Sequence, residues 1–129
     1  MDKVIDQILY DDLYAMAESK YECYQFNPPK GTAYPYVQFG NTINVPRATK
    51  SYLIAEINIG LDVWGDSDDR KTVSDIAYDL FNECGKLTRL TSGHIIKLMP
   101  RESSVEVRID QSTNEDLWRG MVNLKFNVY

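Results

Sequence analysis

A chain of 129 residues, 43% hydrophobic and 26% charged, is long enough to bury one core without disulfide or metal staples, and predicts one domain over residues 1–129. Its formal charge of −5, with Lys and Arg scattered along the chain, argues against nucleic-acid binding as the main task, because phosphate neutralisation needs a cationic surface. No apolar run approaches the roughly 18 residues of a membrane span and the N-terminus is charged, so a chain made and kept in the cytosol, with no membrane partner, is expected.

Residues 2–19 read as a helix. Asp2 is placed to cap it, and Val4, Ile5, Ile8, Leu9, Leu13 and Met16 recur as an apolar stripe flanked by Tyr10 and Tyr14. Residues 20–34 form a link with the turn Asn27-Pro28-Pro29-Lys30-Gly31. A short strand follows at 36–40, and then a polar loop at 44–51 leads into a second, long strand, which together make an antiparallel hairpin. Few apolar anchors sit in that loop, so it is expected to project, carrying the cations Arg47 and Lys50.

From Leu53 to Val63 every odd position is apolar, while positions 56, 58, 60 and 62 are Glu, Asn, Gly and Asp. A period of two places one face on a core and leaves the other for something wetter. The strand stops at Gly65. Asp66, Ser67, Asp68 and Asp69 then open a second helix, with carboxylates where the macrodipole favours them. Val73, Ile76, Ala77, Leu80, Phe81 and Cys84 form its stripe, and Gly85 is the expected C-terminal cap.

Beyond a connection at 87–92, residues 94–98 and 105–109 read as strands, the turn 110–116 reverses the chain, and 117–129 form the last strand. That strand sends Trp118, Val122, Leu124, Phe126 and Val128 to one side and Arg119, Asn123, Lys125 and Asn127 to the other. The order predicts an α+β two-layer sandwich, a mainly antiparallel sheet with both helices on one face.

Chemistry finds few candidates. His94 is the single histidine, beside Gly93 at a strand start, where a turn or edge role is expected. With Cys23 and Cys84 far apart and no CxxC, zinc has no ligand set, and reduced, buried thiols are the reading. The acidic run from Asp66 fails the EF-hand pattern, which needs an oxygen ligand where Arg70 stands and glycine where Lys71 stands. It also lacks the second glycine of a phosphate loop. No catalytic residue, cofactor or metal is predicted. Two readings of Trp64 stand side by side: an even-side aromatic covered by helix two or a neighbouring strand, and a partly exposed aromatic at a protein interface. Arg119 likewise begins either a solvated sheet face or a polar surface for subunit contact.

Pro35-Tyr36-Val37-Gln38-Phe39-Gly40, the loop with Lys50, the alternating strand ending Asp62-Val63-Trp64-Gly65, and the closing Leu117-Trp118-Arg119-Gly120-Met121-Val122-Asn123-Leu124-Lys125-Phe126 resemble the tail-completion proteins of long-tailed bacteriophages. The resemblance covers most of the chain and rests on element order, length and short strand signatures. It implies a tail terminator, similar in fold to that of phage lambda: a virion protein made in the host bacterial cytoplasm, forming a homo-hexameric ring on the head-proximal end of the tail. Such a ring stops polymerisation of the tail tube protein and joins the tail to the head-completion or neck protein. DNA passes through it without specific binding.

A cyclic ring uses a heterologous interface, so two different patches on each subunit must match. Arg47 and Lys50 are expected to reach a neighbour or the tube, with Asp66, Asp68 and Asp69 as a counter-patch, and with Trp64 and Arg119 as further contact residues. Two rival readings remain: a head-side neck adaptor, and a small cellular α+β enzyme or ligand-binding domain. The last of these requires a pocket with converging polar groups.

Overall fold

The computed structural model describes residues 4–47, 53–112 and 115–129. In chain order these form helix α1 (Ile5–Glu18), strands β1 (Cys23–Tyr24), β2 (Tyr36–Pro46) and β3 (Ala55–Gly65), and helix α2 (Arg70–Gly85). There follow β4 (Ile96–Leu98), a 3₁₀ turn (Pro100–Glu102), β5 (Ser104–Asp110) and β6 (Leu117–Val128). The sheet order is β1-β2-β3-β6-β4, with β5 also on β6. β4 pairs with residues 126–128 of β6 and β5 with residues 117–123, so the two lie end to end along one edge. All pairs are antiparallel except β1 with β2.

Alternation in β3 decides the layers. Its odd residues from Ala55 to Val63 are buried and its even ones half-exposed, as the period of two requires. Both helices cover the odd side. Tyr10 and Tyr14 of α1 meet the ring of Phe39 edge-on, with centroids 5.3 and 5.0 Å away. Across the sheet, Val73 and Ala77 of α2 sit against Gly120 of β6. Leu9, Leu13, Ile57, Leu61, Leu80 and Phe126 join in one continuous core, each burying roughly 1.5–3 kcal/mol of apolar side chain. The two-layer α+β reading therefore holds.

Two glycines let α2 descend onto the sheet. A Cβ at Gly65 would lie 2.5 Å from Val73 Cγ2 and 2.7 Å from Asp69 Cβ, and one at Gly120 would lie 3.1 Å from both Val73 and Ala77. The helices are also tied to each other beyond the end of α1. Lys20 Nζ reaches Asp79 Oδ2 at 2.7 Å, and the Tyr21 hydroxyl donates to the same oxygen.

Several local expectations change. β2 runs to Pro46, so Asn44, Val45 and Pro46 belong to the strand, not to a loop; a bulge between Phe39 and Thr42 absorbs the irregular, Gly-containing segment, and pairing then resumes as far as Pro46↔Ala55. Residues 23–24, expected in a link, form a parallel edge strand with Val37 and Gln38. α1 starts after Val4 with no side-chain cap, and Asp2 lies outside the described residues. α2 has no acid in its first turn. Gly85 is helical and the cap residue is Lys86 in the right-handed region, so what Gly85 supplies is space: a Cβ there would meet Leu98 at 2.9 Å.

Candidate interaction face

The face of the sheet opposite the helices is built from alternate residues of its six strands. Cross-strand register fixes its rows: Trp64 beside Arg119, Asp62 beside Met121, Gly60 beside Asn123, Asn58 beside Lys125 and Glu56 beside Asn127. Polar side chains dominate because these positions face away from both helices.

At the Gly65 end of β3 the polar groups form one connected row. Asn27 Oδ1 accepts from Gln38 Nε2 at 2.9 Å, and Gln38 Oε1 accepts from the Trp64 indole N–H at 3.0 Å. The Arg119 guanidinium lies over the Trp64 ring, 5.1 Å from its centroid, and forks onto Asp62 through Nε and Nη2. Its remaining Nη1 reaches Asp110 at 3.5 Å. Hydrogen bonds from Ser112, side chain and backbone, with Arg119 behind them, hold the Asp110 carboxyl below its ordinary range. The Asp62 fork in turn raises the Arg119 guanidinium, which stays charged. Trp64 is thus half-buried beneath a neighbouring strand's arginine and is not covered by α2.

A second cluster stands at the Ala55 end. Lys125 Nζ bridges Glu56 at 3.2 Å and Glu102 at 3.0 Å, and Arg47 bonds to Glu56 as well. Those bonds, Arg47's first, hold the Glu56 carboxyl low. Arg47 therefore folds back on its own sheet, its backbone N–H donating to Ile54 C=O at 2.9 Å. Lys50 lies outside the described residues.

Between the two clusters is a shallow depression of 380 Å³ lined by Gly40, Ile43, Asn58, Gly60, Met121 and Asn123, with the Asp62–Arg119 pair at its rim. Its floor is narrow by construction, since a Cβ on Gly40 would lie 2.9 Å from the carbonyl oxygen of Gly60. Carboxamides, backbone and the apolar side chains of Ile43 and Met121 line it, and its charged rim is already paired. It offers surface contact more readily than acid–base chemistry.

The acids before α2 close on themselves. Asp69 Oδ2 accepts from Asp66 N at 3.1 Å, and Asp66 Oδ1 accepts from Asp68 N at 3.1 Å. Asp69 occupies the cap position without a side-chain bond into the helix. This turn follows Gly65, whereas Arg47 follows Pro46, so the two charged sets stand at opposite ends of β3, roughly 33 Å apart at about 3.3 Å per residue.

His94 lies in the turn before β4, its Nδ1 2.7 Å from Ser92 Oγ, at an edge as expected. Burial pushes both the Cys23 and Cys84 thiols up to about 12, and both cysteines are free. Among the described residues no three His, Cys, Asp or Glu side chains are grouped to hold a metal ion, and no helix is long and apolar enough to cross a membrane. Sequence alone does not pair Asp62 with Arg119 or Glu56 with Lys125. Their shared even and odd parity on two strands was the available signal.

Helices on one face and a bare polar face on the other define this as a two-layer α+β domain. No family model and no curated protein matches the sequence. The fold is similar to that of a chain in the virion of a native gene transfer agent particle, with a TM-score of 0.62 and 16% identity, covering 96% of this chain and 93% of that one.

Proposed function

We propose that this chain is a structural subunit of a phage-type virion and, within it, the tail terminator: a homo-hexameric ring that caps the tail tube, stops its growth and joins it to the neck protein. The observation that carries the reading is the likeness of nearly the whole fold, end to end, to a chain of a gene transfer agent virion. A polar face on which Arg119 and Lys125 are both paired with carboxylates supports it, because such a surface suits subunit contact and offers passing DNA little free positive charge from those two side chains. The subunit acts by assembly and performs no catalysis.

In a ring, opposite ends of β3 would meet neighbouring copies. Arg47 and Lys50 are the cationic patch, Asp66, Asp68 and Asp69 its counterpart, and Trp64 with Arg119 part of the contact face. Adding the purified protein to purified tails tests the function: electron microscopy should show a ring at one end and tubes of limited length. Binding to purified heads instead would identify a neck adaptor and overturn the terminator role. Replacing Arg47 and Lys50 with Glu should weaken assembly, and unchanged rings would sink that pairing.

A further inference from the structure

We propose that the free edge of β2 pairs two copies of this chain about a two-fold axis at Asn44. β1 covers only Val37 and Gln38 of β2, and among the described residues no strand lies beside the rest of that edge. The bulge before Thr42 and the proline at 46 bound the open stretch. From Thr42 to Val45 no charged side chain blunts the edge, and Ile43 is 62% exposed and Val45 39%.

Backbone direction fits a partner strand. Arg47 N–H points inward to Ile54, so alternation along β2 turns the N–H and C=O of Asn44 and Thr42 outward. With the axis at Asn44, the two copies exchange a reciprocal pair of bonds at that residue. Each Thr42 N–H then meets Pro46 C=O of the second copy, a place where proline needs only to accept. On the open face, Ile43 falls opposite Val45 of the second copy, apolar against apolar.

Asn44 supplies an independent observation. Its side chain is on the helix side, level with Ile57, and its Oδ1 is shielded from solvent yet accepts no hydrogen bond. A buried carbonyl oxygen without a donor is costly. The axis sets a second carboxamide, with two N–H donors, across the edge, and a turn of the Asn44 side chain toward that edge would bring its oxygen onto them. Pairing β2 with the β5 edge of another copy would instead oppose Ile43 and Val45 to Glu106 and Arg108, and would leave Asn44 unmatched. The two-fold contact is isologous, so it stands apart from the head-to-tail contact of a ring.

Cross-linking reads the register. Ile43 and Val45 of two copies should lie about 4.5 Å apart at Cα, inside disulfide range. Under mild oxidation, an Ile43→Cys variant mixed with a Val45→Cys variant should cross-link several-fold faster than either alone, and faster than Ile43→Cys mixed with Arg108→Cys. Sedimentation of the unmodified protein should show a concentration-dependent dimer, and Ile43→Asp, at an exposed site, should weaken association at least tenfold with an unchanged circular dichroism spectrum. Absence of that cross-linking preference, faster coupling to Arg108→Cys, or a monomer at all concentrations would overturn the proposal.

Discussion

Arg119 of β6 grips Asp62 of β3 with two hydrogen bonds, Nε to Oδ1 at 3.2 Å and Nη2 to Oδ2 at 3.1 Å, while its guanidinium plane covers Trp64. One side chain thereby fixes a cross-strand pair and shields an indole. Hydrogen bonds to charged groups contribute about 1.5–3 kcal/mol where they are partly buried. Arg119→Ala should therefore lower unfolding stability by about 1–3 kcal/mol in urea denaturation. In a Trp118→Phe background the emission of Trp64 should also shift to the red. Arg119→Lys should recover little of either, because an ammonium cannot fork onto a carboxylate.

Glycines differ sharply in what they permit. Gly65→Ala drives a methyl into Val73 and Asp69 and should cost about 1–3 kcal/mol by overpacking. Gly60→Ala meets only Asn123 Oδ1, at 3.4 Å, an ordinary contact. It should leave the thermal midpoint within a few degrees of the parent.

Acid should unfold the protein through Asp79, Asp110 and Glu56. Each has its folded pKa lowered from a reference of 3.8 or 4.5: Asp79 by Lys20 and Tyr21, Asp110 by Ser112 and Arg119, Glu56 by Arg47 and Lys125. A depressed carboxyl adds stability that is present above the unfolded pKa and lost as pH falls through the folded one. The thermal midpoint should thus hold steady down to about pH 5 and decline below about pH 4. Asp110→Asn should start lower and decline less steeply.

Both thiols should be inert in the folded state. Burial pushes them up to about 12, so at pH 8 almost no thiolate is present. A disulfide reagent should titrate two thiols promptly in denaturant and react far more slowly in native buffer, Cys84 slower than the half-buried Cys23.

Periodicity made much of this fold legible. The alternation through β3 and β6 and the stripe of Val73, Ile76, Ala77, Leu80 and Cys84 appear on the faces that the spacing requires. Boundaries were less readable where backbone geometry overrode composition. The polar stretch 44–51 reads as a loop and ends the strand at residue 40, but a bulge carries β2 past Gly40 to an edge position at Pro46. Gly85 resembles a cap in sequence and proves to be a packing residue against Leu98.

The candidate face was legible only as a parity. Even positions of β3 and odd positions of β6 announce a polar surface, on which Trp64 and Arg119 stand out only as single residues. Their stacking and the Asp62 partner needed the register of β3 against β6, far apart in the chain, and the Asp110 partner needed that of β5 against β6.

By itself, then, the sequence determined which side of β3, of β6 and of the two helices is buried, because side-chain direction follows from local backbone period alone. The tertiary structure decided that β6 lies between β3 and the β4–β5 edge, that Asp62 meets Arg119, and that β2 keeps an open margin at Asn44. Those outcomes depend on which strands pair and in what register, set by the joint packing of the whole core and not by any one segment.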